Sequence, residues 1–306
     1  MPRTRHAHTL RQTVTLSGRG LHSDRPCTVV LRPAEHASGL RFVHTPSGTE
    51  IPAEAAFVGD CSLATTLTRD GIKLQTVEHL LSALVGLEVD HLTIEVDGEE
   101  LPILDGSAAP WVKLIQEAGL RAMALWPRTL RILKPVEVRN GDKWMRVTPH
   151  HGLRLAYTID FDHPSIGRQS RELTLTPEKY VRELGSARTF CMDRDIEFMR
   201  SRGLAKGGSL ENAVVFSANG PLNESLRFED EAVRHKMLDM VGDLALLGAH
   251  LEGFVEASLA GHALHVQLAK AILADPSAWT LAERDEATYA RPVFRPSLGS
   301  AQPIPA

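Results

Sequence analysis

The sequence predicts an α+β fold of two similar domains, each a β-sheet layered with α-helices. Three observations carry this. The chain has 306 residues, and at roughly 100–200 residues per domain that length suits two domains. Along it the hydrophobic period passes from strand-like alternation to helical spacing, then to a strand and a second helix, and the whole order then repeats. The Trp126-Pro127 junction lies between the two runs. The expected division is therefore 1–126 and 127–280, with a flexible proline-bearing tail over 281–306.

In the first half, alternating and β-branched segments at 13–16, 27–31 and 40–44, set off by Gly and Pro, read as strands. From Thr76 the spacing changes, and Val77, Leu80, Leu81, Leu84 and Val85 recur at helical intervals until Gly86. A strand follows over 91–96. After the Asp97-Gly98 turn, Ser107 is placed to cap a helix running through Trp111, Leu114 and Ile115 to Gly119. In the second half, strands are expected over 130–138, 144–148 and 153–161. A helix over 229–247 turns Val233, Met237, Met240, Val241 and Leu244 toward one face. A strand over 253–258 and a helix over 262–273 complete the repeat, an order that suggests duplication. An insert at about 188–216 breaks the symmetry, with Phe190, Phe198, Leu204 and Phe216 around Gly203, Gly207 and Gly208.

Composition excludes several classes. Hydrophobic residues make up 43% and charged residues 24%, the balance of an ordinary globular chain rather than a disordered or membrane-embedded one. The 34 Lys and Arg against 38 Asp and Glu give a formal net charge of −4, which offers no basic field to a nucleic-acid backbone. No nucleic-acid partner is expected. The stretch 244–255 is broken by Gly248, His250, Glu252 and Gly253, short of the ~20 residues a membrane helix needs. No stable membrane insertion is expected either, and with no secretory signal after the basic start the reading is a cytoplasmic monomer. The three cysteines Cys27, Cys61 and Cys191 form no C-x-x-C pair, which rules out a disulfide framework and a thiolate zinc site. Imidazole and carboxylate are left as metal donors, a set that suits a catalytic site with an open position.

The run His235-Lys236-Met237-Leu238-Asp239 sets an imidazole and a carboxylate at i and i+4 of a helix, where both share one face. Such a pair either stabilises itself on a solvated face or offers two ligands to a metal. One turn further, Asp243 adds a carboxylate able to take a ligand's free ring N–H or to hold Lys236. Thr76-Val77-Glu78-His79 opens the first-half helix, where Glu78 also suits the helix dipole with no catalytic role. Zinc catalysis needs about three protein ligands, an open position and a separate carboxylate for the water's proton. His79, His235 and Asp239 can supply the first, and Glu78 the last. No H-E-x-x-H is present, which excludes the common zinc-protease arrangement. His262 follows Gly261 at the start of the last helix, where the dipole disfavours an imidazolium. It is either a structural cap or a group that protonates a leaving amine or steadies oxyanion charge, and His265 competes with it.

Taken together, Ser17-Gly18-Arg19-Gly20-Leu21-His22, Thr76-Val77-Glu78-His79, Ser186-Ala187-Arg188-Thr189-Phe190, Leu226-Arg227-Phe228-Glu229-Asp230-Glu231, Arg234-His235-Lys236-Met237-Leu238-Asp239 and Gly261-His262 closely resemble the UDP-3-O-acyl-N-acetylglucosamine deacetylases. The resemblance covers roughly residues 5 to 280. It implies two α+β domains with the active site between them, and zinc-dependent removal of an N-acetyl group in the committed step of lipid A synthesis. It also implies an acylated UDP-sugar as substrate and Zn2+ as cofactor, with Fe2+ as the alternative ion. By the same resemblance His79, His235 and Asp239 match the zinc ligands, Glu78 the general base and His262 the general acid or electrostatic group. Thr189 matches a hydroxyl that helps hold the oxyanion, and Lys236 and Asp243 match supporting polar positions. Phe190 matches an aromatic substrate contact, Cys61 a cysteine near the metal, and Cys61, Leu21 and His22 are grouped with Phe190 at the substrate. The insert matches the segment that builds an apolar passage for the acyl chain, where each buried methylene contributes about 0.8 kcal/mol to specificity. The sequence departs from the pattern at Leu259, where a basic contact to the diphosphate is expected.

Two other readings of the same residues remain at this point. Two histidines and one carboxylate also form the facial triad of non-haem Fe(II) enzymes, although those need no base beside a ligand. A non-enzymatic lipid- or nucleotide-binding protein accounts for the insert but leaves Glu78 and His79 without a role.

Overall fold

A computed structural model describes residues 6–282 of the chain, so the tail expected over 281–306 lies outside the described residues apart from its first two. Alternating burial along Pro26–Pro33, Leu92–Val96, Leu153–Phe161 and His250–Ser258 gives each strand one covered and one more open face. In the first sheet the order is Val14–Arg19, Pro26–Pro33, Leu92–Val96, Leu40–His44, Thr49–Pro52. The second contains Val136–Asn140, Lys143–Thr148, His250–Ser258, Leu153–Phe161 and Gly167–Thr174 in the equivalent order. Successive pairings run antiparallel, antiparallel, parallel, antiparallel in both. The repeated order read from the sequence is thus a repeated strand topology. In the second sheet Thr129–Ile132 and Trp279–Leu281 extend the far end of His250–Ser258.

The segment 130–138 is not the single strand the sequence suggested. Thr129–Ile132 and Val136–Asn140 occupy different places in the sheet, because Pro135 has no N–H to continue a ladder and the chain leaves the sheet before it. Strand Gly167–Thr174 was also unforeseen.

Among the described residues six α-helices complete the fold: α1 (Glu78–Gly86), α2 (Ala109–Ala118), α3 (Pro177–Glu183), α4 (Asp193–Ser201), α5 (Glu231–Leu244) and α6 (His262–Ala274). The first and fifth begin two residues later than their hydrophobic spacing suggested, and α5 runs on into a 3-10 turn at Ala245–Leu247. Ser107 does accept from the Ala109 N–H at 3.1 Å, which caps the start of α2. Both α1 and α5 are covered on nearly every side, with only Val85 on the first and Arg234 and Lys236 on the second partly open. A helix buried all round belongs in an inner layer. Here α1 packs directly on α5, and α6 lies between α5 and the strands Val136–Asn140 and Lys143–Thr148.

Small residues set the approach of α1 to α5. A Cβ at Gly242 would lie 2.1 Å from the Glu78 carbonyl oxygen, so only glycine permits this contact. One turn along α1, the Ser82 hydroxyl donates to the Leu238 carbonyl at 2.8 Å and accepts from Tyr180 at 2.9 Å. These bonds are buried and hold the crossing where the chemically active side chains lie.

Candidate active site

The helix crossing brings together residues from both halves. His79 in the first turn of α1 and His235 on α5 aim their Nε2 atoms at one oxygen, Asp239 Oδ1, from 3.7 and 3.2 Å. Their rings stand edge to face with centroids 5.1 Å apart. All three side chains are buried, and each can offer one ligand atom to a metal. Each surrounding contact prepares a ligand. The Ala187 carbonyl accepts the His235 Nδ1–H at 3.0 Å, which leaves the Nε2 lone pair facing Asp239. Lys236 Nζ holds the other carboxylate oxygen, Oδ2, at 2.9 Å. Oδ1 of Asp239 is left buried with no hydrogen-bond partner. A buried carboxylate oxygen without a donor is costly, and its placement between two imidazole lone pairs is the donor set of a divalent cation such as zinc.

Electrostatics agree with the geometry. Burial, reinforced by the neighbouring His235, drives His79 down to about 3, so its ring is neutral and able to ligate. His235 is held below its ordinary range by burial as well. Burial works against ionised Asp239, but the positive charges of Lys236 and His262 hold it well below the usual carboxylate range.

Glu78 precedes His79 on α1 and lines the same cavity, its Oε2 accepting the Thr65 N–H at 3.0 Å. Burial raises its carboxyl to about 7, a value suited to exchanging protons near neutrality. Asp243 lies one turn beyond Asp239 on α5 but outside the lining of the cavity. Neither duty suggested by the sequence falls to it. Lys236 goes to Asp239 and the free His235 N–H to Ala187, while Asp243 Oδ2 accepts from His262 Nδ1 at 2.8 Å and His265 Nδ1 at 2.7 Å. Its Oδ1 accepts from the Thr65 hydroxyl. Asp243, His262 and His265 could form a second cation group by proximity, but their ring N–H groups are already directed at the carboxylate. The expectation that the dipole of α6 would disfavour a charged His262 is overturned. Burial also lowers it, yet Asp243 and Asp239 outweigh both and raise it to about 9.

A cavity of about 410 Å³ opens over the three possible ligands. Glu78, Thr189, Lys236 and His262 line it, as do Leu21, His22, Cys61 and Phe190. Thr189 is fixed by its N–H to the Gly106 carbonyl at 2.8 Å. That loop is anchored in turn by the buried Arg188–Glu231 pair, 2.9 Å apart. Phe190 packs edge to face on Phe161 and Phe216, at 5.4 and 6.1 Å between centroids. His22 binds Glu100 through its backbone N–H at 2.7 Å, and its Nε2 is buried without a partner. Burial, with Asp243 and Asp60, pushes the Cys61 thiol up to about 11. Of the insert, only Thr189 and Phe190 line this cavity. Val214, Val215 and Phe216 are in the core, while Phe198 is 59% exposed.

Sequence reasoning missed Thr65, which touches Glu78, Asp243 and His262 at once. It lies in an irregular loop with no periodic signal, so nothing local could mark it. It also missed Lys143, a cation lining the cavity whereas Leu259 does not.

Comparison with known proteins places the chain. Residues 7–274 match the family described as LpxC, UDP-3-O-acyl N-acetylglycosamine deacetylase. The chain is 48% identical over 271 residues to the UDP-3-O-acyl-N-acetylglucosamine deacetylase of Anaeromyxobacter dehalogenans (strain 2CP-C), covering 88% of each. It is 44% identical over 283 residues to the protein of that name from Syntrophotalea carbinolica, covering 91% of each. To that of Xanthomonas campestris pv. campestris (strain B100) it is 45% identical over 297 residues, 94% of this chain and 98% of the other. With the match spanning both sheets and the whole helix crossing, the chain belongs to the LpxC family of deacetylases.

Proposed function

We propose that the protein is a zinc-dependent amidohydrolase that removes the N-acetyl group from UDP-3-O-acyl-N-acetylglucosamine, giving acetate and the free amine for lipid A synthesis. The observation that carries the metal dependence is the unpartnered, buried Asp239 Oδ1 between two imidazole Nε2 atoms. His79, His235 and Asp239 would hold the ion, at the meeting of two domains over 1–126 and 127–280. A bound Zn2+ supplies Lewis acidity toward the amide carbonyl and lowers the pKa of water toward ~7.

The chain's own residues do the rest. Glu78, held by Thr65 through one oxygen, takes the proton of the attacking water with its carboxylate. Lys236 keeps Asp239 oriented. As the carbonyl oxygen gains charge, the Thr189 hydroxyl donates to it and cationic His262 attracts it, interactions that strengthen only as charge develops. When the C–N bond breaks, the amine needs a proton, and His262 or the newly protonated Glu78 delivers it. Phe190 and Leu21 present apolar surface to the acyl chain, while Cys61 and His22 border the substrate.

Acetate release from the acylated UDP-sugar, measured without oxygen and with and without chelator, tests the reading. Release that stops with chelator and returns with Zn2+ is expected. No acetate, or turnover that depends on oxygen, would refute it.

A further inference from the structure

Two buried polar side chains behind the site, His265 and Tyr157, have no duty in the proposed mechanism. His265 is wholly buried in the first turn of α6, and Tyr157 is buried on the inward face of strand Leu153–Phe161 with Leu155 and Ile159. Neither lines the cavity, so neither can touch substrate. They are nevertheless joined to it through a continuous set of hydrogen bonds. His265 Nδ1 lies 2.7 Å from Asp243 Oδ2, the same oxygen that His262 Nδ1 addresses from 2.8 Å. The Tyr157 hydroxyl lies 3.0 Å from His265 Nε2 and 2.9 Å from the Ala260 carbonyl, two residues ahead of His262.

From this arrangement we propose that His265, steadied by Tyr157, is a positioning residue that aims the Asp243 carboxylate at His262. The inference rests on the deacetylase reading and extends it to residues that never meet the substrate.

A carboxylate on one helix turns readily about its terminal torsion, which is broad rather than sharply staggered. Asp243 is kept from doing so by three donors on two elements: Thr65 on its loop for Oδ1, and His262 and His265 on α6 for Oδ2. Were His265 removed, His262 alone would hold Oδ2 against the Thr65 hydroxyl, which also lies 3.4 Å from His262 Nδ1 and can compete for it. His262 would then lose the fixed acceptor that points its Nε2 toward the Asp239 side of the cavity, 3.8 Å from Oδ2 of that residue. Tyr157 acts one step further back. Its edge-on ring, 5.8 Å from that of His265, and its hydroxyl fix the ring plane, while the contact to Ala260 ties the same hydroxyl to the turn that starts α6. A supporting partner of this kind typically contributes about 10–100-fold in activity.

Three substitutions at one position test the inference because they differ in where they place a donor. In His265→Asn the amide falls near the Nδ1 position and still reaches Asp243. In His265→Gln it falls nearer Nε2 and reaches the Tyr157 side instead, and His265→Leu offers no donor. Each zinc-loaded variant is compared with wild type in acetate-release kcat and KM, zinc content and melting temperature. The expected result is a kcat at least about tenfold lower for His265→Gln and His265→Leu, with KM and zinc content unchanged and most of kcat kept by His265→Asn. In a His262→Ala background, His265→Gln should cost nothing further, since its effect runs through His262. Equal losses in the Asn and Gln variants, or an undiminished loss in the His262→Ala background, would overturn the proposal. If His265→Leu fails to fold, the Asn and Gln pair decides alone. Wild-type protein that releases no acetate would refute the deacetylase reading itself, whereas an active wild type with an unimpaired His265→Gln refutes only the role given to His265.

Discussion

Gly242→Ala adds a single methyl group at the point where α5 meets α1. That methyl would lie 2.1 Å from the Glu78 carbonyl oxygen and 2.8 Å from its carbon, where ordinary contact begins at 3.4 Å. The obstacle is backbone and cannot swing aside as a side chain would, so the helices must part by roughly 1 Å at Glu78. Overpacking of this kind costs about 1–3 kcal/mol, which lowers the melting temperature by several degrees. A second effect is larger in its consequence. One helix carries Glu78 and His79, the other His235 and Asp239, so parting them lengthens the 3.7 Å between His79 Nε2 and Asp239 Oδ1. Misplacement by about 1 Å can reduce turnover ~100-fold. The assay is acetate release together with zinc content and thermal unfolding of the purified variant. Weaker zinc retention and a large fall in kcat are expected, well beyond the loss of folded protein at the assay temperature. Wild-type turnover with full zinc would refute the claim that this crossing sets the geometry of the site.

Three further outcomes are expected. Glu78→Gln should keep its metal, since the ligands are untouched, and lose turnover by about 100-fold or more; an unchanged kcat would remove the assignment of Glu78 as base. Asp239→Ala should lose zinc on dialysis, and wild-type occupancy measured by elemental analysis would count against Asp239 as a ligand. Burial alone would raise Glu231, but its bonds to Arg188 and to the Arg227 backbone hold it below the usual carboxylate range. The ionised pair therefore stabilises the fold above the unfolded glutamate value of ~4.3 and loses that contribution as pH falls through the lower folded value. Melting temperatures of wild type and Glu231→Gln should differ most at neutral pH and converge in acid, and a gap that is constant with pH would show that charge at this site is irrelevant.

What was legible in the sequence divides by the kind of signal each element carries. The helices α1, α5 and α6 and the two central strands announced themselves because burial on defined faces forces an apolar period. Strand Gly167–Thr174 did not, since it is polar along most of its length and buries only Leu173. For α3 the signal was present but went unread: Thr176 before Pro177 caps it, its hydroxyl accepting from the Lys179 N–H at 3.2 Å. In the site, residues spaced i and i+4 on one helix could be paired by counting. Thr65 and the Ala187 carbonyl could not, because their relation to Asp243 and His235 is created only when loops distant in sequence fold onto α5. The two duties that spacing suggested for Asp243 went astray for the same reason. Its partners are Thr65 on a loop and His262 and His265 on α6, and helical spacing within α5 says nothing about them.

The contrast between the two aspartates of α5 bears on the proposal that the site holds a cation. They lie one turn apart, both are essentially inaccessible, and both are held ionised against the cost of burial. Asp243 is satisfied within the protein, with Thr65 on one oxygen and two imidazoles on the other. Asp239 has Lys236 on Oδ2 and no donor for Oδ1. Nothing about helix packing prevents a donor there, since His79 and His235 both lie close enough to turn an N–H toward it if protonated. Instead burial keeps these rings neutral, and the Ala187 carbonyl takes the Nδ1–H of His235, so that lone pairs rather than protons converge on the oxygen. Lone pairs on two nitrogens and one carboxylate oxygen repel one another in a low-dielectric interior, and the arrangement is stable only with positive charge between them. His79, His235 and Asp239 create that repulsion while the neighbouring carboxylate is fully satisfied, which favours the proposed metal site over a helix stabilised by an ion pair.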